Sequence, residues 1–367
     1  MFQRSLVTFL FVSAVALCNA QNSATVHQPK LTPEISGTTQ LLISVSPVNS
    51  QIVWAAGTGG TYVVTTDGGN TWKSGVVPGA ENLQFRDVQG VSDKVAYLMS
   101  IGDNTTDFRI YKTYNGGATW HLQFVNHTAS AFYDCFAFWE PNRGVAHSDA
   151  VNGVFPDIRT FSGQHWQSIS GSMPPALPGE ASFSSSGTCI TTQGESNAWI
   201  TTGGATVSRI LATTDAGNTW NSYDTPLFSS PSAGGLSVAF RDAMHGMVGG
   251  GDLAVNYRIQ AATSDDGGHT WTFTKKPPLG GTIFCLAYAK GMTLDAGASS
   301  DAAFERTVVI TSEDAPNFDR GAAAWTPDEG QTWYRLPNAS GYWAVAFANP
   351  QAGWFVGNNG QILKISF

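Results

Sequence analysis

Thr65-Thr66-Asp67-Gly68-Gly69-Asn70-Thr71-Trp72 is the stretch that decides the fold, because its pattern returns several times along the chain. The Asp side chain can accept hydrogen bonds from its own turn, and the two glycines supply backbone angles that other residues avoid. We interpret the stretch as a tight turn between two strands, with Trp72 in the second strand. Further copies of this repeated turn begin at Thr113, Thr213, Ser264 and Thr326. A degenerate copy, which lacks the acidic residue, occupies Thr160 to Trp166.

The spacing of the repeated turns predicts the architecture. Asp67 and Asn115 lie 48 residues apart, and Asp215 and Asp266 lie 51 residues apart. Units of about 40–50 residues that hold four short strands are typical of propeller blades. Seven such units would use nearly all of the 367 residues. We therefore predict an all-β, seven-bladed β-propeller that forms a single domain over residues 21–367.

The end of the chain predicts how the ring closes. Residues 353–364 parallel residues 53–64, so the chain stops where a seventh turn should begin. The last blade then lacks its outer strand, and Thr25–Ile35 is the available donor. A ring closed by an N-terminal strand that joins the last blade hides most strand edges.

Two further patterns bear on the strands inside the blades. The interval from Asp266 to Asp328 is 62 residues, which predicts an insertion in blade 6 near Asp295–Ala323. A Phe followed two residues later by an acid or amide, as in Phe85-Arg86-Asp87, is predicted to end an inner strand. Similar triplets begin at Phe138, Phe240 and Phe347.

The N-terminus has the character of a secretory signal. Arg4 provides the positive start, Leu6 to Leu17 the apolar segment and Cys18-Asn19-Ala20 a cleavage site of small residues. We interpret residues 1–20 as a signal peptide and expect a secreted or periplasmic protein. No other stretch is long and apolar enough to predict a membrane span. The net charge of −8 argues against a nucleic-acid partner.

The mature chain would keep Cys135, Cys189 and Cys285, which fall in strands that look equivalent. We favour the interpretation that all three are small apolar residues packing inner strands. The alternative is a Cys135–Cys189 disulfide between adjacent blades, which the sequence cannot establish because a disulfide needs close geometry.

The repeated turns resemble Asp-boxes, also called BNR repeats, which occur in sialidases, sortilin-type receptors and xyloglucanases. With the predicted single propeller and secretory start, residues 40–367 most resemble the Ycf48/HCF136-like group of photosystem II assembly factors. In such families these turns lie on the outer rim, away from the ligand. The resemblance therefore implies a structural role in the turns, rather than metal binding or catalysis, for Asp67, Asn115, Asp215, Asp266 and Asp328.

Three arginines are candidate ligand-binding residues. Each of Arg109, Arg209 and Arg258 precedes an Ile, and even offsets from the following turn place them on the same strand face. A sialidase usually has Arg-Ile-Pro, and Pro follows none of these pairs. We favour a structural role along the blades, with a basic cluster that binds an anionic ligand near the channel mouth as the alternative.

The sequence points to binding rather than chemistry. We find no nucleophile elbow, phosphate-binding loop or paired Cys metal motif, and the His residues are scattered. We expect no cofactor and no metal. The predicted function is a non-catalytic scaffold or binding protein that holds a protein or glycan on one face. The alternative is a glycoside hydrolase, sialidase-like or active on another glycan.

Overall fold

The computed structural model describes residues 28–255, 258–290, 302–313 and 322–367, and these residues form seven four-stranded antiparallel sheets. Each sheet is one blade, so the predicted seven-bladed propeller is confirmed. Helical structure within the described residues is limited to short 3₁₀ turns at Thr105–Asp107, Ser170–Ser172, Ala302–Phe304 and Asn358–Gly360. None of these segments is long enough to cross a membrane.

The strands of each blade follow the chain from the innermost to the outermost position. Blade 1 comprises β2 (Leu42–Pro47), β3 (Val53–Gly57), β4 (Thr61–Thr65) and β5 (Lys73–Val76). Blade 2 comprises β6 (Gln84–Gly90), β7 (Ala96–Ile101), β8 (Arg109–Thr113) and β9 (His121–Val125). Blade 3 comprises β10 (Tyr133–Glu140), β11 (Arg143–Ser148), β12 (Ile158–Thr160) and β13 (Trp166–Ser168). Blade 4 comprises β14 (Ile190–Gln193), β15 (Asn197–Thr201), β16 (Arg209–Thr213) and β17 (Asn221–Asp224). Blade 5 comprises β18 (Ala233–Phe240), β19 (Gly246–Asp252), β20 (Gln260–Ser264) and β21 (Thr272–Phe273). Blade 6 comprises β22 (Thr282–Tyr288), β23 (Val308–Glu313), β24 (Ala322–Thr326) and β25 (Tyr334–Ser340), and blade 7 begins with β26 (Tyr342–Asn349), β27 (Ala352–Gly357) and β28 (Gln361–Ser366).

The outer strand of blade 7 comes from the other end of the chain. β1 (Lys30–Ile35) pairs antiparallel with β28 over its whole length, from Lys30 opposite Ser366 to Ile35 opposite Gln361. The predicted closure by an N-terminal strand is therefore confirmed. The first residues of the predicted donor, Thr25 to His27, and the predicted signal peptide lie outside the described residues.

The predicted insertion in blade 6 was wrong in its extent. β23 and the first residues of β24 lie inside the range Asp295–Ala323. The Val-Val-Ile-Thr run within β23 is β-branched and supplies the second strand that the blade needs. The additional residues are therefore divided between the β22–β23 and β23–β24 connections rather than forming one insert.

The inner strands of blades 1, 2, 3, 5, 6 and 7 share an irregularity near their beginning. Each shifts register against its second strand across one residue, as expected for a β-bulge. The residues at the shift are Ile43, Arg86, Asp134, Leu236, Phe284 and Trp343. Phe85-Arg86-Asp87 therefore begins an inner strand, and the prediction that it ends one was wrong because the triplet belongs to the bulge.

The residue after the shift links one blade to the next. Asp87 Oδ2 accepts a hydrogen bond from the Phe136 amide at 2.8 Å, and Ser237 Oγ accepts one from the Leu286 amide at 2.9 Å. Cys285 Sγ accepts one from the Val345 amide at 3.4 Å. Each contact joins consecutive blades around the channel, so one backbone position builds an inner ring.

Cys135 and Cys189 occupy this ring position in blades 3 and 4 and form a disulfide, with their Cα atoms 6.0 Å apart. Our preference for three unbridged cysteines was therefore wrong for this pair. The bulge of blade 3 places Cys135 toward the interface with blade 4, where Cys189 precedes the inner strand, and the linear sequence does not reveal this. Cys285 stays a buried free thiol, and burial raises its pKa.

The repeated turns dock on the preceding blade. The Tyr62 hydroxyl donates to the Gly117 carbonyl at 2.7 Å, and the Trp199 indole donates to the Gly267 carbonyl at 2.7 Å. A Cβ at Gly117 would lie 2.5 Å from the Tyr62 ring, so glycine permits this close approach. The turns are thus part of the interfaces between blades.

Candidate functional site

The antiparallel blades give the propeller two different faces. The repeated turns join third to fourth strands and therefore lie at one end, which we call the turn face. The connections from second to third strands, and from one blade to the next, lie at the opposite end. We call that end the mouth face because the bulges of the inner strands surround the channel there.

On the turn face, the acids are engaged within their own turns. Asp215 Oδ1 accepts from the Thr219 amide at 2.9 Å and the Thr213 hydroxyl at 2.8 Å, while Oδ2 accepts from the Thr219 hydroxyl at 2.7 Å. The same three bonds are made by Asp67, Asp266 and Asp328. Asn115 keeps the amide bond through Oδ1 at 2.8 Å and donates to the Thr119 hydroxyl at 2.9 Å.

These bonds favour the ionised carboxylates. Hydrogen bonds from Thr71 and Thr65 lower the pKa of Asp67 to about 2. The turn bonds likewise outweigh partial desolvation and lower the pKa of Asp266 to about 2. Acids of this kind are poor proton donors, and their oxygens are occupied by the turn.

Arg209 begins β16 on the mouth face and is buried. Its guanidinium pairs with the fully buried carboxylate of Glu180, with Nε 2.9 Å from Oε1 and Nη2 against Oε2. The remaining donors reach the Pro175 carbonyl at 3.1 Å and the Ser222 hydroxyl at 3.0 Å. Arg209 thus ties the connection before blade 4 to the third and fourth strands of that blade.

The other two candidate arginines lie on the same face, each with local partners. Arg109 donates to the Thr106 carbonyl at 2.7 Å and contacts Asp107 at 3.7 Å. The Arg258 guanidinium carbon lies 3.7 Å from the centre of the Phe228 ring. Each of the three arginines is therefore engaged within its own part of the ring, and these contacts do not assemble them into one cluster.

A segment before blade 4 lies across the channel. The Ser184 carbonyl accepts from Arg86 of blade 2 at 3.1 Å, whereas the Ser185 hydroxyl donates to the Phe284 carbonyl of blade 6 at 3.0 Å. A segment that contacts both blades must pass the axis of the ring. Gly187 has a φ of +75°, and a Cβ there would lie 2.5 Å from the Asp87 carboxyl. We call residues 183–188 the plug.

Beside the plug, the mouth presents one cation and one large aromatic ring. The Arg86 guanidinium carbon lies 5.6 Å from the centre of the Trp343 ring, and both residues are partly exposed. The Trp343 indole also lies 5.0 Å from the Phe284 ring and donates to Asn358 Oδ1 at 3.2 Å. Gln84 accepts from Arg86 at 3.1 Å. This arrangement offers an aromatic surface, a guanidinium and two amides around one opening.

Buried carboxyl groups lie beneath the mouth in blade 3. Asp134 is only 1% exposed, and its Oδ2 accepts no hydrogen bond from the described residues. Burial and the neighbouring Asp149 raise the pKa of Asp134, and burial also raises the pKa of Asp149. The proximity of two buried carboxyl groups therefore favours the neutral form of Asp134.

His147 and Asp157 form a second buried pair, with Nδ1 2.8 Å from Oδ2. The other Asp157 oxygen accepts from the Ser148 amide at 3.1 Å. In the part of the chain that the structure describes, no group of three or more His, Cys, Asp or Glu is arranged to hold a metal. Asp157 thus bonds to both His147 and Ser148 inside blade 3.

The sequence analysis missed Arg86, Trp343 and the plug. An alignment of Phe85-Arg86-Asp87 with Tyr133-Asp134-Cys135 would have placed Arg86 and Asp134 at equivalent positions. The Ser-Ser-Ser-Gly run at 184–187 is another available signal, because it interrupts the β pattern before Cys189.

Known structures share this architecture. The fold is similar to a structure described as Ycf48 bound to D1 peptide, with 16% identity, 92% of this chain and 97% of that chain covered, and a TM-score of 0.61. Ycf48 from Cyanidioschyzon merolae matches with 16% identity, coverage of 92% and 98%, and a TM-score of 0.62. The GH74 xyloglucanase from Xanthomonas campestris matches with 14% identity and a TM-score of 0.60, over 91% of this chain and 53% of that one.

No family model and no curated protein matches the sequence. The chain is thus a Ycf48-like propeller in its fold, as the resemblance of its turns predicted. At these identities the similarity concerns the architecture alone.

Proposed function

We propose that this protein is a non-catalytic binding propeller that holds a segment of another protein at the mouth face. The observation that carries the proposal is the partly exposed Arg86–Trp343 pair beside the plugged channel. Trp and Arg are the residues that most often dominate binding energy at protein interfaces. The description of one structural neighbour as bound to a peptide supports the choice of a protein over a glycan.

The surrounding groups suit an extended peptide. Gln84 and Asn358 lie next to the cation and the ring, and amide side chains can pair with both the N–H and C=O groups of a backbone. A guanidinium favours an acidic side chain or a terminal carboxylate. The ligand we propose is therefore a peptide segment that combines an apolar side chain with a carboxylate.

The glycoside hydrolase alternative has less support. Glycoside hydrolysis commonly uses two carboxyl groups that flank the bond to be cleaved. Asp134 and Asp149 are neighbouring carboxyl groups near the mouth, but Asp134 is only 1% exposed. A substrate would have to displace the packed residues around it.

We further propose that the protein works outside the cytoplasm. The signal-like character of residues 1–20 supports this location, and so does the Cys135–Cys189 disulfide, because such bonds persist in oxidising compartments. Comparing the mass and N-terminal sequence of the exported protein with those of the cytoplasmic precursor tests the proposal. Retention of residues 1–20 together with reduced cysteines in the native protein would contradict it.

The binding proposal is tested by selecting peptides from a displayed library on the intact protein and measuring their affinity for variants. Trp343→Ala should lower the affinity for a peptide that binds the mouth face about tenfold or more. Trp333→Ala is the matched control, since it removes a partly exposed Trp from the turn face. Equal affinity for both variants would contradict the assigned site, and steady turnover of a glycoside panel by the wild type would contradict the non-catalytic function.

A further inference from the structure

The turns of blades 2 and 3 carry an aromatic residue at a position where the other repeated turns do not. The residue after the first Thr or Ser of each turn is aromatic in these two adjacent blades alone among the six copies. Tyr114 is 43% exposed and Phe161 is 54% exposed. The residues at this position, in chain order, are Thr66, Tyr114, Phe161, Thr214, Asp265 and Pro327.

Each of the two aromatic residues is preceded by a cation two positions earlier. Lys112-Thr113-Tyr114 and Arg159-Thr160-Phe161 therefore have the same order of residue types. Lys112 Nζ lies 4.8 Å from the centre of the Tyr114 ring, and the Arg159 guanidinium carbon lies 4.6 Å from the centre of the Phe161 ring. The cation and the ring thus form a unit that occurs in both blades.

The two cations differ in exposure, since Arg159 is partly exposed whereas Lys112 is only 2% exposed. Lys112 Nζ donates to Asn142 Oδ1 at 2.8 Å, and Arg159 Nη1 donates to Asn218 Oδ1 at 2.8 Å. Within the described part of the chain, neither cation forms a salt bridge with a carboxylate. The same two turns have also lost their acid, which is Asn115 in blade 2 and is missing from the blade 3 copy.

The two units lie next to each other across the blade 2–blade 3 interface. A Cβ at Gly163, in the turn that carries Phe161, would lie 2.8 Å from Lys112 Nζ. His121 packs against Tyr114 with ring centres 5.7 Å apart, and it is exposed. We call Tyr114, Arg159 and Phe161, with the exposed polar residues between them and the buried Lys112 beside Tyr114, the aromatic–basic surface.

We propose that the aromatic–basic surface binds a carboxylated carbohydrate chain on the turn face. The negative face of an aromatic ring attracts the polarised C–H groups of a pyranose, and two rings on neighbouring blades can support successive parts of one chain. The partly exposed Arg159 guanidinium selects carboxylates on a protein whose net charge is −8, whereas the buried Lys112 adds only positive potential beside Tyr114. This site is independent of the peptide site proposed at the mouth.

The test compares a galacturonate oligosaccharide with its fully methyl-esterified form, each titrated calorimetrically into the intact protein. We expect the acid to bind at least about fivefold more tightly than the ester, because the ester lacks the charge that Arg159 attracts. Arg159→Gln should reduce affinity for the acid up to about fivefold and leave binding of the ester unchanged.

The double variant Tyr114→Thr, Phe161→Thr introduces the residue that blades 1 and 4 already carry, so the turns should keep their structure. Its affinity for the galacturonate oligosaccharide should fall about tenfold or more. Phe273→Thr is the control, because this Phe is similarly exposed at 48% on another blade.

Three binding results would overturn the proposal. They are no binding of the galacturonate oligosaccharide by the wild type, equal binding of the acid and its ester, or equal binding by the double variant and the wild type. Self-association in sedimentation that the double variant abolishes would also overturn it, since the aromatic–basic surface would then join two copies of this chain.

Discussion

The two faces of the propeller use the same acidic residue types in opposite ways. On the turn face, each Asp accepts hydrogen bonds from residues two to four positions away in its own turn. On the mouth face, Asp87, Glu180 and Asp149 bond to residues from other segments or other blades. The pKa of Asp67 is lowered by its turn bonds, whereas the pKa of Asp134 is raised by burial.

Comparing the two faces shows how a repeat protein can keep a structural turn in every repeat and place contacts that differ between blades at the other end. A local turn can be repeated because each copy supplies its own partners. The mouth face is built from long-range contacts that differ from blade to blade, so each position can change independently. Diversity at the mouth is consistent with binding, because the recognition of one ligand needs an asymmetric surface.

The largest expected effect tests whether the mouth is held by long-range contacts. Arg209→Met should lower the free energy of unfolding by about 3–5 kcal/mol, because it leaves the buried Glu180 carboxylate without its cation. Chemical denaturation of the purified variant measures the change.

A double variant separates the ion pair from packing. Arg209→Met with Glu180→Gln should recover part of the loss, since no buried charge then lacks a partner. If Arg209→Met were as stable as the wild type, long-range contacts would not hold the mouth face, and the contrast between the two faces would be contradicted.

The next effect concerns the disulfide that joins blades 3 and 4. Removing it with Cys135→Ala and Cys189→Ala should cost about 4 kcal/mol by the chain-entropy model for a separation of 54 residues. Thermal melting of the variant, with Cys285→Ala as the control for a buried cysteine at the same ring position, measures the loss. Equal losses for the two variants would contradict a specific contribution from the bond.

The smallest effect is a pH dependence of opposite sign on the two faces. The pKa values of Asp67 and Asp266 are lowered to about 2, so their stabilisation is complete above the unfolded pKa near 4 and is lost as pH falls toward 2. The pKa of Asp134 is raised, so the folded state loses stability as pH rises from about 4 through that raised value. Thermal melts of the wild type and Asp134→Asn across this range should differ most at neutral pH, and parallel curves would contradict the shift.

The architecture could be predicted from the sequence because the turn is local. Thr65, Asp67 and Thr71 lie within seven residues and carry the complete set of bonds, so the pattern survives in the linear order. The closure could be predicted because residues 353–364 repeat residues 53–64 and lack only an outer strand. The role of Asp67, Asn115, Asp215, Asp266 and Asp328 in holding these turns stays the interpretation that the resemblance gave, and their bonds agree with it.

The mouth could not be predicted because its contacts join distant residues. Each bulge shifts the register of its inner strand by one residue. Phe85-Arg86-Asp87 spans such a bulge and was assigned to the wrong end of its strand because it resembles triplets at the ends of other inner strands. The same shift directs Cys135 toward Cys189. The plug reaches Arg86 and Phe284 from blade 4, and no periodic pattern marks such a crossing. Whether Arg109, Arg209 or Arg258 contributes to binding stays a prediction.

Our main proposal is that the turn face maintains the structure and the mouth face binds. It is tested most directly by measuring thermal stability and the affinity of a selected mouth-face peptide in parallel for Asp215→Ala and Trp343→Ala. We expect Asp215→Ala to cost about 1–2 kcal/mol of stability through its lost turn bonds and to leave the affinity unchanged, while Trp343→Ala weakens the affinity about tenfold or more. Loss of peptide binding by Asp215→Ala at unchanged stability, with Trp343→Ala binding as the wild type does, would contradict the claim.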